Sequence, residues 1–206
     1  MILAGAFAIV LFVGLIVGDW MYFARLSSDA SRYGYGIGRL QDRFAALTVP
    51  QLLRTFDQNG FLSLPHGVAR VFREVNRMVI RPTHRLFSLR FRTAWPLKGS
   101  IEWAPEPEGL TMVCTKRVPW SSSILTFLWF SLVGFGTLGF VITYLFEGGL
   151  DSLGSVLLGI GVTGVGLIVV AFGLLTITVA YRIENTRLMQ VYTELREVAS
   201  KSEGTA

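Results

Sequence analysis

Residues 70–92 read RVFREVNRMVIRPTHRLFSLRFR, with seven arginines, no lysine and one acid, Glu74. In its first half, with Val68 just before it, Val68, Val71, Phe72, Val75, Met78 and Val79 recur at i, i+3, i+4 and i+7. That spacing predicts an amphipathic helix with Arg70, Arg73 and Arg77 on the face opposite the apolar arc. Pro82 ends it, because proline removes a donor and clashes with the preceding turn. Arg81 and Arg85 flank the break. Beyond it Phe87, Leu89, Phe91 and Trp95 alternate with Ser88, Arg90 and Arg92, the period of a half-buried strand with an arginine face.

Working outward, strands are expected at Ser100–Trp103 and Leu110–Val118, joined through APEPEG as a hairpin with a six-residue loop. Upstream, TVPQLLRTFDQNG (48–60) predicts a short helix: Thr48 caps it, Pro50 fits the first turn, and Asn59 with Gly60 stops it. Before that, SSDASRYGYGIGRL (27–40) reads as a loop because Gly34, Gly36 and Gly38 alternate. Their spacing is not that of a phosphate-cradling fingerprint, and an apolar helix rather than a strand precedes them.

This basic region lies between segments of opposite character. The chain has 206 residues, 51% apolar and 16% charged, with mean hydropathy +0.51, which excludes an ordinary soluble domain. Three windows are long and apolar enough to cross a bilayer as helices: Met1–Phe23, Ile124–Phe146 and Leu153–Tyr181. The first has no basic residue ahead of its apolar run, and the run outlasts a signal core, so it reads as a retained anchor. Near its end stand Asp19, Trp20, Tyr22 and Arg25, residue types of the headgroup zone; Asp19 reads as an interfacial acid near Arg25.

The expected fold is therefore a mainly α membrane protein, with three transmembrane helices and a small cytoplasmic α+β insert between the first and second. Its parts are an anchor (1–23), a basic α+β region (24–118), a helical hairpin (124–181) and an amphipathic tail (182–206) with Leu188, Val191, Tyr192, Leu195 and Val198 at helical spacing. Residues 24–118 hold 15 of the 19 Lys and Arg against seven acids, and Arg182, Arg187, Arg196 and Lys201 follow the last span, whereas the EGGLD loop between spans has only Glu147 and Asp151. Positive charge stays inside, so the N-terminus is expected outside and the C-terminus in the cytoplasm; from the chain's compactness the membrane is expected to be a bacterial inner membrane.

The arginine faces, Arg70, Arg73, Arg77, Arg81, Arg85, Arg90 and Arg92, suit anionic phospholipid headgroups or an acidic partner surface. Nucleic acid is a weaker match, since no recognition motif accompanies them. No catalytic, cofactor or metal site is expected. His66 and His84 occupy turn-like positions without metal spacing, Cys114 lies in an expected strand, and Glu102, Glu106 and Glu108 are spread along a proline-rich loop.

The second and third spans have no ionisable residue to carry a solute or proton, and their Ser and Thr can bond back to their own helices. They do show regular small residues. Ser152, Gly159, Gly166, Gly173 and Ala180 recur every seven positions, and Gly14 and Gly18 form a GxxxG pair, so backbones can approach closely there. The helix that fills this groove belongs either to this chain or to another subunit. The expected function is a non-catalytic accessory, assembly or scaffold component of a larger membrane complex, with other membrane subunits as partners. An autonomous anionic-lipid-binding or membrane-sensing module is the alternative.

Overall fold

The run of Ile, Leu, Val, Phe and Ala after Met1 satisfies its own backbone only as a helix, and in a computed structural model it forms α1, Ile2–Phe23. The structure describes residues 2–45, 47–83, 93–107 and 109–203. Three helices are long and apolar enough to span a membrane: α1, α3 (Trp120–Phe146) and α4, a 51-residue helix over Leu153–Glu203. Between α1 and α3 the described residues form one antiparallel sheet of six strands, β1 (Tyr35–Phe44), β2 (Phe61–Ser63), β3 (Gly67–Phe72), β4 (Arg77–Pro82), β5 (Lys98–Glu106) and β6 (Gly109–Val118), in the order β1-β6-β5-β4-β3-β2. Among the described residues the architecture is three helices long and apolar enough to span a membrane with a sheet between the first two, and it fits a multi-pass membrane protein.

The helix expected over Val68–Val79 does not form. Those residues are β3 and β4, paired in register from Gly67 with Pro82 to Phe72 with Arg77. Along β3, Ala69 and Val71 are buried while Val68, Arg70 and Phe72 alternate with them on the other face. A 3-10 turn over Arg73–Val75 closes on Asn76 at φ 47°, a left-handed conformation that Asn tolerates better than most residues. Two period-two segments offset by a short turn place their apolar residues at helical spacing, so the pattern alone could not separate the two readings. The valines and isoleucine, stiff at χ1, favour the strand.

Two further expectations change. The glycine-rich loop becomes β1 from Tyr35 onward, with Gly36 and Gly38 at a register shift against β6, where glycine often marks a bulge. The six-residue APEPEG loop is largely strand, because β5 continues through Glu106 and pairs it with Gly109. Gly109 (φ 148°) needs its glycine: a Cβ there would collide with the carbonyl oxygen of Phe44. The strand expected from Phe87, with Arg85, Arg90 and Arg92, lies outside the described residues, as do His84 and Glu108; Trp95 itself stands in a bend. The helix after Thr48 forms as α2, Val49–Arg54, where the Thr48 backbone N–H donates to Gln51 Oε1 at 2.9 Å.

One face of the sheet carries the core. Ile80, Ile101, Trp103, Leu110, Met112 and Cys114 pack with Leu52 and Phe56 from the α2 region, and with Leu188, Val191, Tyr192, Leu195 and Ala199 of α4. The amphipathic tail is thus a continuation of α4 whose inner face completes the sheet's core. The Tyr192 hydroxyl donates to Asp42 Oδ2 at 2.8 Å and Lys116 Nζ to Asn185 Oδ1 at 2.7 Å, fixing the helix across β1 and β6. His66, expected as a solvated loop residue, is exposed yet bound: its backbone N–H donates to Glu194 Oε2 at 3.1 Å and its ring meets the same carboxylate.

The chain divides into two compact units, one of residues 1–121 with 183–206 and one of residues 122–182. The second is the α3–α4 hairpin. Ser152 caps α4 by accepting from the Ser155 backbone N–H at 3.1 Å, and Tyr144 donates to the Ser155 carbonyl at 2.7 Å. Gly159 lies against the Tyr144 ring, Gly166 against Thr137, and Gly173 against Trp129 and Phe130, so α3 occupies this face of α4. Thr163, Thr176 and Thr178 donate to the carbonyls of Gly159, Phe172 and Leu174 in their own helix, each at 2.8 Å.

Candidate functional site

The second face of the sheet carries the polar residues that alternation turns away from the core: Arg70 on β3, Arg77 and Arg81 on β4, Lys98, Ser100 and Glu102 on β5, and Arg117 on β6. The last turn of α1 and the connection to β1 lie over this face. A helix ends with carbonyls that have no partner within it and carry a partial negative charge. Here the sheet supplies the cations.

Lys98 is fully buried, and its Nζ donates to the carbonyls of Phe23 at 3.1 Å and Ala30 at 2.6 Å, with the Phe23 ring 4.3 Å away. Arg81 donates to the Ala24 carbonyl at 2.5 Å, Arg70 to that of Leu26, and Arg117 to that of Gly34 at 2.9 Å. The Arg70 guanidinium also lies over the Phe61 and Phe72 rings, at 4.5 and 5.3 Å. Arg77 donates to Ser31 Oγ at 2.9 Å and to Glu102 Oε1 at 3.1 Å, while Arg32 reaches the same oxygen at 2.8 Å. Arg32, then Arg77, holds the Glu102 carboxyl below the usual range. Burial, with Arg117 and Arg81 alongside, pushes Lys98 down to about 7.

A second joint lies one turn earlier in α1. Asp19 accepts from the Tyr33 hydroxyl at 2.5 Å, and from the backbone N–H and hydroxyl of Ser121 at 3.0 and 2.6 Å. It therefore caps the start of α3 from another helix, where a negative charge is favoured. Asp19, expected as an interfacial acid near Arg25, thus bonds to Tyr33 and Ser121, while Arg25 lies over the Tyr22 ring at 5.8 Å. The hydrogen bond to Asp19 pushes the Tyr33 phenol up to about 12.

Of the expected site residues, Arg70, Arg77 and Arg81 meet on this face, Arg70 and Arg81 turned onto backbone carbonyls and Arg77 onto the Ser31 and Glu102 side chains; Arg73 is exposed in the β3–β4 turn. Arg85, Arg90 and Arg92 lie outside the described residues. A Cβ at Gly14 or Gly18 would meet nothing within 4 Å beyond their own helix in the unit that contains α1. Sequence reasoning missed Lys98, Arg117, Ser121 and Tyr33. The one hint lay in Asp19, an acid near the end of an apolar helix. Cys114 is buried, which pushes its thiol up to about 12 and keeps it protonated near neutral pH. Among the described residues no group of three His, Cys, Asp or Glu could hold a metal ion.

The geometry is that of a clamp: cationic side chains and the Glu102 carboxylate fasten the end of an apolar helix to a sheet. No protein family, curated protein or solved structure matches the chain.

Proposed function

We propose that this chain is a non-catalytic accessory, assembly or scaffold component of a larger membrane complex. The observation that supports this reading is the clamp. Lys98, Arg81, Arg70 and Arg117 bind backbone carbonyls at the end of α1 and after it, so the helix and sheet form a stiff bracket. A stiff frame with chemistry directed inward is suited to holding other subunits in position. The same observation weighs against an autonomous lipid binder acting through Arg70, Arg77 and Arg81, since headgroups would compete with bonds already made.

In this proposal the sheet and the end of α4 lie in the cytoplasm and the N-terminus lies outside, as the basic residues of both segments favour; the membrane proposed, from the chain's compactness, is a bacterial inner membrane. Gly14 and Gly18 of α1 give a close-approach face for a helix of a partner.

The test is extraction in native-lipid discs at low salt, followed by mass spectrometry of stoichiometric companions. A constant protein companion, lost when Gly14 and Gly18 are replaced by leucine, is the expected result. A chain that comes out alone with retained anionic lipid overturns the reading in favour of the lipid-binding module.

A further inference from the structure

The end of α1 gathers aromatic rings as well as cations. Tyr22 and Tyr33 meet edge to face with centroids 4.7 Å apart, and Tyr35 meets Trp120 in the same way at 5.7 Å. Gly34 between them has no room for a side chain, because a Cβ would press on the Phe23 ring and the Val118 carbonyl. The first residues of β1, the last of β6, the end of α1 and the start of α3 therefore form one contiguous rim.

The outward part of this rim is apolar. Tyr35 is 50% exposed, Trp120 43% and Ile37 38%, although all belong to a unit with a well-filled core elsewhere. Ile37 stands at the register shift between Gly36 and Gly38, so it is released from the ladder at an edge strand. Arg25 is exposed and lies over the Tyr22 ring. Tyrosine and tryptophan with arginine are the composition of the layer between hydrocarbon and water, where a ring buries its body and leaves its polar tip wet. What makes lipid the occupant is continuity: Phe23 ends one candidate span and Trp120 begins another, so the patch lies at the depth where both leave the hydrocarbon.

We propose that the rim formed by Arg25, Tyr35, Ile37 and Trp120 rests in the headgroup layer of the bilayer, so the sheet is seated on the lipid surface along the start of β1. The contact differs from the one expected of Arg70, Arg77 and Arg81, which face inward. The proposal rests on the membrane-spanning reading of α1 and α3 and is independent of the accessory-subunit reading.

The full chain in phospholipid nanodiscs, carrying a spin label at Ile37→Cys or, four residues further along the strand, at Gln41→Cys, tests it. Unmodified protein, whose Cys114 is buried, provides the blank. Collision with oxygen, which partitions into lipid, and with a water-soluble nickel chelate measures depth. The expected result is an oxygen-to-nickel ratio several-fold higher at position 37 than at 41. Equal ratios would place the rim in water and overturn the proposal. Low collision with both reagents at position 37 would show a protein cover and overturn it as well. A second pair, Tyr35→Cys and Arg43→Cys, repeats the comparison should the first label disturb the register shift.

Discussion

At Asp19 three donors converge on one carboxylate, and each would lose its acceptor in Asp19→Ala. Buried or half-buried donors left unpaired cost about 1–3 kcal/mol in total for such a site. The variant is expected to unfold earlier in detergent, and the Tyr33 phenol should titrate from about 12 back toward 10, which ultraviolet absorbance follows. Unchanged titration would show that Asp19 does not hold Tyr33. Lys98 makes a different prediction. Its folded value is about 7 against 10.5 for an ordinary lysine, so between those values the unfolded chain binds one proton more. Stability therefore rises with pH across that window, by at most about 1.4 kcal/mol per pH unit, and the contribution levels off below pH 7. Lys98→Met should remove this slope in denaturation midpoints measured from pH 7 upward. A slope that persists in the variant would assign it to another group. Neither residue was legible as a clamp, because what each touches lies far along the chain: Asp19 meets Ser121, and Lys98 meets Phe23.

Among the elements, the inner face of α4 shows how a pattern becomes a contact. Leu188, Val191, Tyr192 and Leu195 were legible as one helical stripe, and the structure lays that stripe on the sheet. Leu195→Ala is expected to cost about 2–5 kcal/mol, read from the denaturation midpoint, since the side chain is enclosed and the site cannot easily collapse. In the hairpin, Gly173→Leu should push α3 away, because even a Cβ would strike Trp129. Cysteine pairs placed across the two helices should then crosslink less efficiently than in the parent. By contrast, the β3–β4 hairpin was misread from the same kind of evidence. Apolar residues in two strands and in the four-residue connection between them fell on a helical arc. Besides the β-branched residues, pairing with β2 and β5, which brings distant partners, favours the strand solution. The glycines of β1 misled for a related reason: glycine disfavours an isolated strand, yet at an edge with a register shift the sheet tolerates it.

For the whole molecule, the proposed orientation has a direct check. Cys114 is a poor reporter because it is 1% exposed, so a label should be read at Gln41→Cys, on the outer strand. An impermeant maleimide is expected to reach it only after the membrane is opened; labelling of intact cells would invert the topology. The sequence by itself determined the three helices long and apolar enough to span a membrane, the basic segment between the first two, the two final strands and the apolar stripe after Tyr181. These are properties of composition and of period, and for the long apolar segments the reading is local, because in hydrocarbon a helix must satisfy every backbone group within itself. Tertiary structure alone decided where the charges of that basic segment point. Alternation in a strand says that Arg70, Arg77 and Arg81 share a face, but whether the face meets lipid, a partner or the chain's own backbone depends on what the sheet brings beside it. Here it brings the unpaired carbonyls at the end of α1, and cations beside a helix C-terminus are held there by its partial charge.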